Sequence, residues 1–241
     1  MILTPVFPLA GPPIDLESAA ARDKIRELYR PPVDDWVRLN LIGSASGSAV
    51  GSDGTSETLT NAIDRVILNV IRSLSDVVVV GAASVRAEGY HVPSNGALAV
   101  VTRTGDFSQS RIKNTGNGGT LLILCPAAVV DTARTTIGLP DVTIVPVPDS
   151  GGSLSAHSII DALRGQGYRT IVAEGGPAIA TGLVLGGVVD ELCLTMSPVL
   201  NGGSHPLFGS SRFDDIRINL NQLLADEAGY TYARWGLREP V

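Results

Sequence analysis

The sequence predicts an α/β protein in which a mainly parallel central sheet is flanked by helices and extended by antiparallel strands near the C-terminus. Two observations carry this prediction. Strand-sized apolar runs alternate with segments of helical periodicity from residue 61 to residue 185, which is typical of a parallel sheet covered on both faces. Beyond residue 190, two alternating strand-like segments follow without a good helix between them, and this favours antiparallel pairing.

The N-terminal part of the chain begins with a segment unlike the rest. Residues 1–33 are rich in proline and in charges of both signs, and we expect an arm with one short helix there rather than a domain. Residues 43–56 form a long loop of small polar residues, a kind of loop that is usually functional. From residue 61 to residue 74, apolar positions recur every three or four residues, so they predict a helix capped by Thr60 or Asn61.

The remaining elements are predicted from the period of their apolar residues. We expect strands at residues 36–42, 76–81, 97–102, 120–125, 142–147, 169–173, 191–197 and 231–235. We expect helices at residues 127–137, 156–163 and 177–185. Neither a linker nor a break in composition divides these elements, so we predict a single domain over residues 34–241.

The charge balance excludes some classes of partner. The chain has a net charge of −6 and only two lysines, so it lacks the basic stripe that a nucleic-acid backbone requires. No apolar run approaches the length of a membrane span and no signal peptide is evident, so we expect a cytoplasmic protein without a membrane partner. Cys125 and Cys193 lie far apart within apolar runs, which favours buried free thiols over a disulfide.

Several catalytic motifs are missing from the sequence. Neither lysine follows a glycine, as a phosphate-binding P-loop requires, and the two G-x-x-x-G segments have Ala45 and Ala49 where a nucleophile elbow needs serine. The histidines, His91, His157 and His205, have no zinc-ligand spacing, and we expect no metal. The glycine fingerprint of the Rossmann fold is also absent after the first strand.

Two predicted junctions between a strand and a helix carry the chemistry of phosphate binding. They lie at residues 80–85 and 173–182. In the second junction, paired glycines allow a ligand to approach the backbone closely, and Pro177 suits the first position of a helix whose N–H groups face the carboxyl end of the strand. These glycines can also serve only to make tight turns. Two such junctions, one of them beside the carboxylate of Glu174, favour a nucleotide site.

The order and spacing of several short segments match a known family. These segments are residues 40–44, 53–56, 71–72, 76–88, 174–177, 190–192 and 197–200, followed by Gly202 and Gly203. Through them the sequence resembles the riboflavin-biosynthesis pyrimidine reductases, the C-terminal reductase domain of the bifunctional deaminase-reductase. The resemblance implies a dihydrofolate-reductase-like fold, NADPH as cofactor and a homodimer. It also implies reduction of the ribose of 5-amino-6-(5-phosphoribosylamino)uracil to a ribityl chain.

The resemblance also implies roles for particular residues. Glu174 is the candidate catalytic residue and a substrate contact. The other implied substrate contacts are Ser56 and Arg72. The implied cofactor contacts are Gly43, Gly81, Ser84, Glu88, Thr102, Arg103, Gly175, Gly176, Pro177, Ala178, Ile179 and Gly182. Among these, Thr102 and Arg103 follow a predicted strand and are placed to meet the 2′-phosphate of the adenosine.

Two of the implied contacts have plain structural alternatives. Arg72 stands on the polar flank of its helix, where it is suited either to hold a substrate phosphate or to pair with Asp64 or Asp76. Arg103 is suited either to the 2′-phosphate or to a solvated loop.

The sequence departs from the family pattern in ways that leave the substrate open. Ser46 replaces the usual acidic residue, residues 88–90 read EGY in place of D-N-P, and Asn95 stands where an arginine is expected to help bind the substrate phosphate. We also expect no deaminase domain in this chain. A reductase of the same fold that acts on a pterin or dihydrofolate is the first alternative, and a non-catalytic NADPH-binding module is the second.

Overall fold

The computed structural model describes residues 1–113, 118–202 and 205–237. Gly203, one of the residues that carry the family resemblance, lies outside these ranges. The chain divides into two compact units, the first containing residues 1–74 and the chain from residue 189 onward, the second containing residues 75–188. Within the described ranges, none of the helices has the length and apolar character needed to cross a membrane.

The elements follow one another along the chain in a fixed order. The first unit begins with β1 (Ile2–Phe7), β2 (Ile14–Asp15), α1 (Ala21–Leu28), β3 (Trp36–Ser44) and α2 (Ala62–Ser73). The second unit holds β4 (Val77–Gly81), α3 (Ala82–Ala87), β5 (Tyr90–His91), β6 (Ala97–Val101), β7 (Ile112–Lys113), β8 (Thr120–Cys125), α4 (Val130–Thr136), β9 (Val142–Pro146), β10 (Asp149–Ser150), β11 (Ser153–Leu154), α5 (Ala156–Gly165), β12 (Thr170–Ala173) and α6 (Pro177–Leu185). The first unit is completed by β13 (Glu191–Ser197), β14 (Asn219–Asp226) and β15 (Thr231–Gly236).

The sheet of the second unit is parallel throughout. Its strands lie in the order β12, β4, β6, β8, β9. All residues of β4 and β6 are buried, because both faces of these central strands are covered, and this explains their continuous apolar sequence. The predicted strands and helices of this unit are confirmed. Their ends differ by one or two residues, and α4 is preceded by a short 3₁₀ turn, Ala127–Val129.

The sheet of the first unit is mixed. Its strands lie in the order β2, β1, β14, β15, β13, β3, and only β13 and β3 run parallel. The predicted antiparallel strands near the C-terminus are therefore confirmed. Residues 1–33, expected to form an arm, contribute β1, β2 and α1, and they bury Leu3, Ile25 and Tyr29. The single domain over residues 34–241 stays a prediction.

Helix α2 begins at a cap that is tied to a distant turn. Asn61 accepts the N–H of Asp64 at 2.8 Å, so it caps the helix as predicted. The Asn61 side-chain amide also donates to Asp226 at 2.8 Å, and the Tyr232 hydroxyl donates to the same carboxylate at 2.7 Å. Burial and the bond to Asp226 raise the pKa of Tyr232. The start of α2 is thus fixed against the turn between β14 and β15.

A buried group of charges joins the strands of the first unit. The Glu191 carboxylate accepts hydrogen bonds from Arg38 Nε at 2.5 Å and from Arg234 Nε at 2.7 Å. Arg38 also donates to the carbonyl of Tyr29 at 2.9 Å, and Arg234 donates to the carbonyl of Leu28. Burial raises the pKa of Glu191, but the charges of Arg38 and Arg234 outweigh it and lower the pKa. Glu191 is therefore ionised in the folded protein at neutral pH.

We expect Glu191→Gln to lower the free energy of unfolding by about 3–5 kcal/mol at pH 7, because it leaves the buried guanidinium of Arg38 and the partly buried one of Arg234 without a counter-charge. Since the folded-state pKa of Glu191 is lowered, its contribution is present above the unfolded value of about 4.3 and is lost as the pH falls. The difference in the free energy of unfolding between wild type and variant therefore becomes smaller below about pH 4. Urea denaturation at several pH values measures it.

The control for this variant is Glu57→Gln, which breaks the exposed ion pair between Glu57 and Arg65. A surface pair contributes less than about 1 kcal/mol. Equal losses of stability in the two variants contradict the structural role given to Glu191.

Candidate functional site

The carboxyl ends of β4 and β12 are held together by backbone hydrogen bonds. Ile171 pairs with Val77 in parallel register, and the two strands end at the same edge of the sheet. Beyond β12, the N–H of Glu174 donates to the carbonyl of Val79 at 2.9 Å, and the N–H of Gly81 donates to the carbonyl of Gly175 at 3.2 Å. The two glycine-containing junctions predicted from the sequence therefore lie side by side.

The backbone of the second junction requires glycine. Gly175 and Gly176 have φ values of 116° and 72°, in the left-handed region that side chains with a Cβ rarely adopt. A Cβ on Gly176 would lie 2.8 Å from Ser84 Oγ, and a Cβ on Gly81 would lie 3.2 Å from Ile179 Cγ1. The absence of these two Cβ atoms lets α3 and α6 begin close to one another, with backbone exposed where a ligand can approach.

The starts of α3 and α6 carry no negative charge of their own. Neither helix has a side-chain cap, and neither has an acidic residue in its first turn. By contrast, Asn61 caps α2 and Ser155 caps α5. The first N–H groups of a helix lack intrahelical acceptors and carry partial positive charge, and Pro177 occupies the first position of α6, where a missing N–H costs nothing. The start of α6 therefore suits an anionic ligand such as a pyrophosphate.

Thr102 and Arg103 follow the next strand at the same edge. Val101, the last residue of β6, pairs with Gly81 of β4. Neighbouring strands lie about 4.8 Å apart, so Arg103 emerges close to the first junction. The Arg103 side chain is exposed, whereas Thr102 is buried and its hydroxyl accepts the N–H groups of Thr104 and Gly105. The hydroxyl of Thr102 is thus directed into its own loop.

Other predicted residues of the second unit lie around the same edge, with one exception. Glu174 is half-buried directly after β12, and Pro177, Ala178 and Gly182 are exposed on α6. Glu88 is exposed at the end of α3, where its N–H donates to the carbonyl of Ser84. Asn95, in contrast, precedes β6 and therefore lies at the opposite edge of the sheet. Asn95 is therefore separated from the glycine junctions by the length of the strands.

The predicted residues Gly43, Ser56 and Arg72 belong to the first unit. Gly43 is buried in β3, and a Cβ there would lie 2.9 Å from Leu207 Cδ1. Close packing against Leu207 is therefore enough to explain why this position is a glycine. Ser56 is half-buried in the loop before α2, and its carbonyl accepts the N–H of Leu59. Arg72 is half-buried in the last turn of α2. The Asp64 carboxylate, a possible partner of Arg72 from the sequence, accepts the hydroxyl of Thr60 at 2.6 Å.

A polar network in the first unit is not evident from the sequence. Ser46, which departs from the family pattern, donates to the carbonyl of Asn201 at 2.7 Å and lies 3.0 Å from the hydroxyl of Ser44. The Asn201 amide donates to the carbonyl of Val50 at 2.9 Å. These bonds attach the loop after β3 to the segment after β13. Because Ser46 and Asn201 are 155 residues apart, no local sequence signal predicts their contact.

A turn in the same loop is held by a single carboxylate. Asp53 accepts the N–H and the hydroxyl of Thr55 and the hydroxyl of Thr58. The hydroxyl bond from Thr55 is the main cause that lowers the pKa of Asp53. The conformation of Gly54, with φ of 78°, completes the turn. The turn at residues 53–58 is therefore held by hydrogen bonds between its own residues.

Comparison with known protein families identifies the chain. Residues 35–232 match the family described as RibD C-terminal domain. The chain belongs to this family. The match covers most of the chain and confirms the resemblance found in the sequence. Membership of this reductase family of riboflavin biosynthesis makes the protein an oxidoreductase. No curated protein sequence is similar enough to count as a match.

Solved structures share the fold of this RibD C-terminal domain protein. A pyrimidine reductase-like protein from Corynebacterium diphtheriae aligns over 90% of this chain and 99% of its own, with a TM-score of 0.72 and 21% identity. A deaminase/5-amino-6-(5-phosphoribosylamino)uracil reductase from Thermotoga maritima aligns with a TM-score of 0.69 and 15% identity over 90% of this chain, which spans 58% of that protein. The riboflavin biosynthesis reductase Rib7 of Saccharomyces cerevisiae aligns over 88% of this chain and 97% of its own, with a TM-score of 0.64 and 14% identity. These likenesses confirm the predicted fold class.

We expect Gly176→Ala to lower the free energy of unfolding by about 1–3 kcal/mol, because alanine is strained at φ of 72° and its Cβ meets Ser84. Gly182→Ala is the matched control. Gly182 lies within α6 and a Cβ there meets nothing within 4 Å, so alanine stabilises the helix by up to about 1 kcal/mol. Urea denaturation measures the free energy of unfolding of both variants. A Gly176→Ala variant that is as stable as wild type contradicts the prediction.

Proposed function

We propose that this RibD C-terminal domain protein uses NADPH to reduce 5-amino-6-(5-phosphoribosylamino)uracil to the corresponding ribitylamino compound. Family membership supports a reductase of riboflavin biosynthesis. The observation that carries the proposal further is the meeting of two glycine junctions at the carboxyl edge of a parallel sheet. There Gly81 bonds to Gly175, and Gly176 faces Ser84 without a Cβ between them. Open parallel sheets bind nucleotides at such an edge.

The residues of this edge fit a dinucleotide phosphate. We assign the backbone of Gly175 and Gly176 and the start of α6 to the pyrophosphate, because a Cβ on Gly176 would fill the space beside Ser84. Gly81, Ser84 and Glu88 are the further cofactor contacts that we propose from the first junction, with Pro177, Ala178, Ile179 and Gly182 from α6. Arg103 is assigned to the 2′-phosphate. Gly43, in the first unit, remains a proposed contact. NADPH supplies the hydride for the reaction.

The remaining proposed residues act on the substrate. Glu174 stands directly after β12, where its backbone is fixed by the bond to Val79, and we assign it to orient the heterocycle. Arg72 is assigned to the substrate phosphate because a guanidinium binds phosphate through two parallel hydrogen bonds. Ser56 is proposed as a second contact to that phosphate. With the hydride supplied by the cofactor, these residues mainly position the substrate.

Two sequence positions bear on the choice of substrate. Ser46 and Asn95 depart from the family pattern, and Asn95 lies away from the glycine junctions. A pterin or dihydrofolate is the alternative substrate class, because its ring presents hydrogen-bonding edges that one carboxylate can also read. A homodimer and a cytoplasmic location remain predictions from the sequence.

The absorbance of NADPH provides the decisive experiment. We expect it to fall when the phosphoribosylaminouracil is added and to remain constant with dihydrofolate or with no second substrate. Turnover of dihydrofolate alone supports the alternative substrate. Binding of NADPH without turnover of either compound supports a non-catalytic module.

We expect Arg72→Ala and Glu174→Gln to impair catalysis differently. A charge-assisted hydrogen bond contributes roughly 1.5–3 kcal/mol, so loss of Arg72 lowers kcat/KM by about 10- to 150-fold. Most of that loss appears in KM, because the phosphate is remote from the reacting carbon. Glu174→Gln lowers kcat as well, because it disturbs the orientation of the heterocycle. Steady-state kinetics with the phosphoribosylaminouracil measures both.

Two controls accompany these variants. The dissociation constant for NADPH is expected to stay within about threefold in both, because neither residue is assigned to the cofactor. Arg65→Ala removes an exposed arginine from the same helix as Arg72 and is expected to keep wild-type kinetics. Full activity of both Arg72→Ala and Glu174→Gln refutes the residue assignments.

A further inference from the structure

The segment from residue 102 to residue 107 begins with a buried hydrogen-bond acceptor. Thr102 has only 4% of its surface exposed, and its Oγ1 accepts the N–H of Thr104 at 3.3 Å and that of Gly105 at 3.1 Å. Such a turn closes the backbone around the residue between donor and acceptor, which is Arg103. A hydroxyl that is buried and already occupied by two N–H donors is poorly suited to a phosphate ligand. Its structural effect is to fix the backbone of Arg103.

The end of the segment is anchored to α4. Thr136, the last residue of that helix, accepts the N–H of Phe107 at 3.0 Å, and its hydroxyl lies 2.9 Å from the carbonyl of Gly105. Gly105 itself is pressed against the helix, because a Cβ there would lie 2.6 Å from the carbonyl oxygen of Val129. Phe107 is buried as well. The segment is thus held at one end by Thr102 and at the other by Thr136.

Arg103 lies between these two anchors and is exposed at the edge of the glycine junctions. Val101 pairs with Gly81, which places the start of the segment beside the first junction. The segment also contains a carboxylate, that of Asp106, which is bonded within its own turn. It accepts both the N–H and the hydroxyl of Ser108, at 2.9 and 2.7 Å. An arginine whose backbone is fixed in advance loses less entropy when it binds an anion, so it binds more tightly than one on a mobile loop.

We infer that Thr102 and Thr136 are positioning residues that hold Arg103 for the 2′-phosphate and thereby set a preference for NADPH over NADH. The inference rests on the proposed function, since it presupposes that this edge binds the dinucleotide. It gives Thr102 a different role from a direct phosphate contact. It also assigns a role in cofactor choice to Thr136, the last residue of α4, which is not among the proposed cofactor contacts.

The test compares matched valine variants of the full chain. Dissociation constants for NADPH and NADH are measured by cofactor fluorescence in Thr102→Val, Thr136→Val and, as reference, Arg103→Ala. The controls are Thr104→Val, in the same loop, and Thr135→Val, beside Thr136 on α4. Among the residues that the structure describes, the Thr135 hydroxyl bonds to carbonyls of its own helix, and Thr104 accepts the N–H of Asp106.

We expect Arg103→Ala to weaken NADPH binding by about tenfold or more, and Thr102→Val and Thr136→Val by about three- to tenfold. NADH binding stays within about twofold in all three, because NADH has no 2′-phosphate. Thr102→Ser restores the preference, since its hydroxyl accepts the same N–H groups. Both controls retain wild-type affinities. A general structural defect would instead weaken the binding of NADPH and of NADH equally.

The outcomes separate this inference from the proposed function. If Arg103→Ala loses the preference for NADPH while Thr102→Val and Thr136→Val keep it, the positioning role is refuted and the proposed function stands. The positioning role is also refuted if the valine variants bind NADPH and NADH more weakly by the same factor. If the wild-type protein binds neither cofactor, or both equally, the NADPH assignment fails and the inference fails with it. Thr136 is half-exposed at the end of a helix, so Thr136→Val is expected to fold. The inference can therefore be tested with this variant even if Thr102→Val does not fold.

Discussion

The parallel pairing of β4 and β12 continues past the end of β12, through the bonds from Glu174 to Val79 and from Gly81 to Gly175. This extension determines where both helices that follow these strands begin. A backbone that bends away from the sheet so abruptly needs positive φ values, and Gly175 and Gly176 supply them. The result is an exposed backbone surface at the carboxyl edge, beside the uncapped first turn of α6. The geometry that supports nucleotide binding therefore derives from strand pairing and not from any particular side chain.

The first unit is organised by a different constraint, a buried charge cluster. Arg38, Glu191 and Arg234 lie on three neighbouring strands, β3, β13 and β15, and their side chains share one face. A slip of one residue in any of these pairings would turn a charge to the opposite face, away from its partner. Removing such charges from water is expensive, and an apolar replacement is often as stable. Such a cluster favours one strand register over others, and that register brings Ser44 opposite Ser197.

The sequence predicts the second unit well because its signals are local. Strands such as β4 and β6 are apolar on both faces, and Pro177 marks the start of α6. In contrast, β14 carries Asn219, Asn221 and Gln222, which have low strand propensity, and it is a strand because it lies between β1 and β15. The glycine junctions were predictable for the same local reason. The contacts of Ser46 with Asn201 and of Thr136 with Gly105 join distant residues, so only the tertiary structure reveals them.

The two cysteines are free and buried, one in each unit. Burial, with the nearby charge of Glu191, raises the pKa of Cys193 to about 12, and burial also raises that of Cys125. Because the thiolate is the reactive form, neither sulfur reacts readily while its unit remains closed. An alkylating reagent then modifies each thiol only as fast as the surrounding unit opens. The protein therefore carries an internal reporter of local unfolding in each half, and the two labelling rates distinguish a molecule that opens as a whole from one whose units open independently.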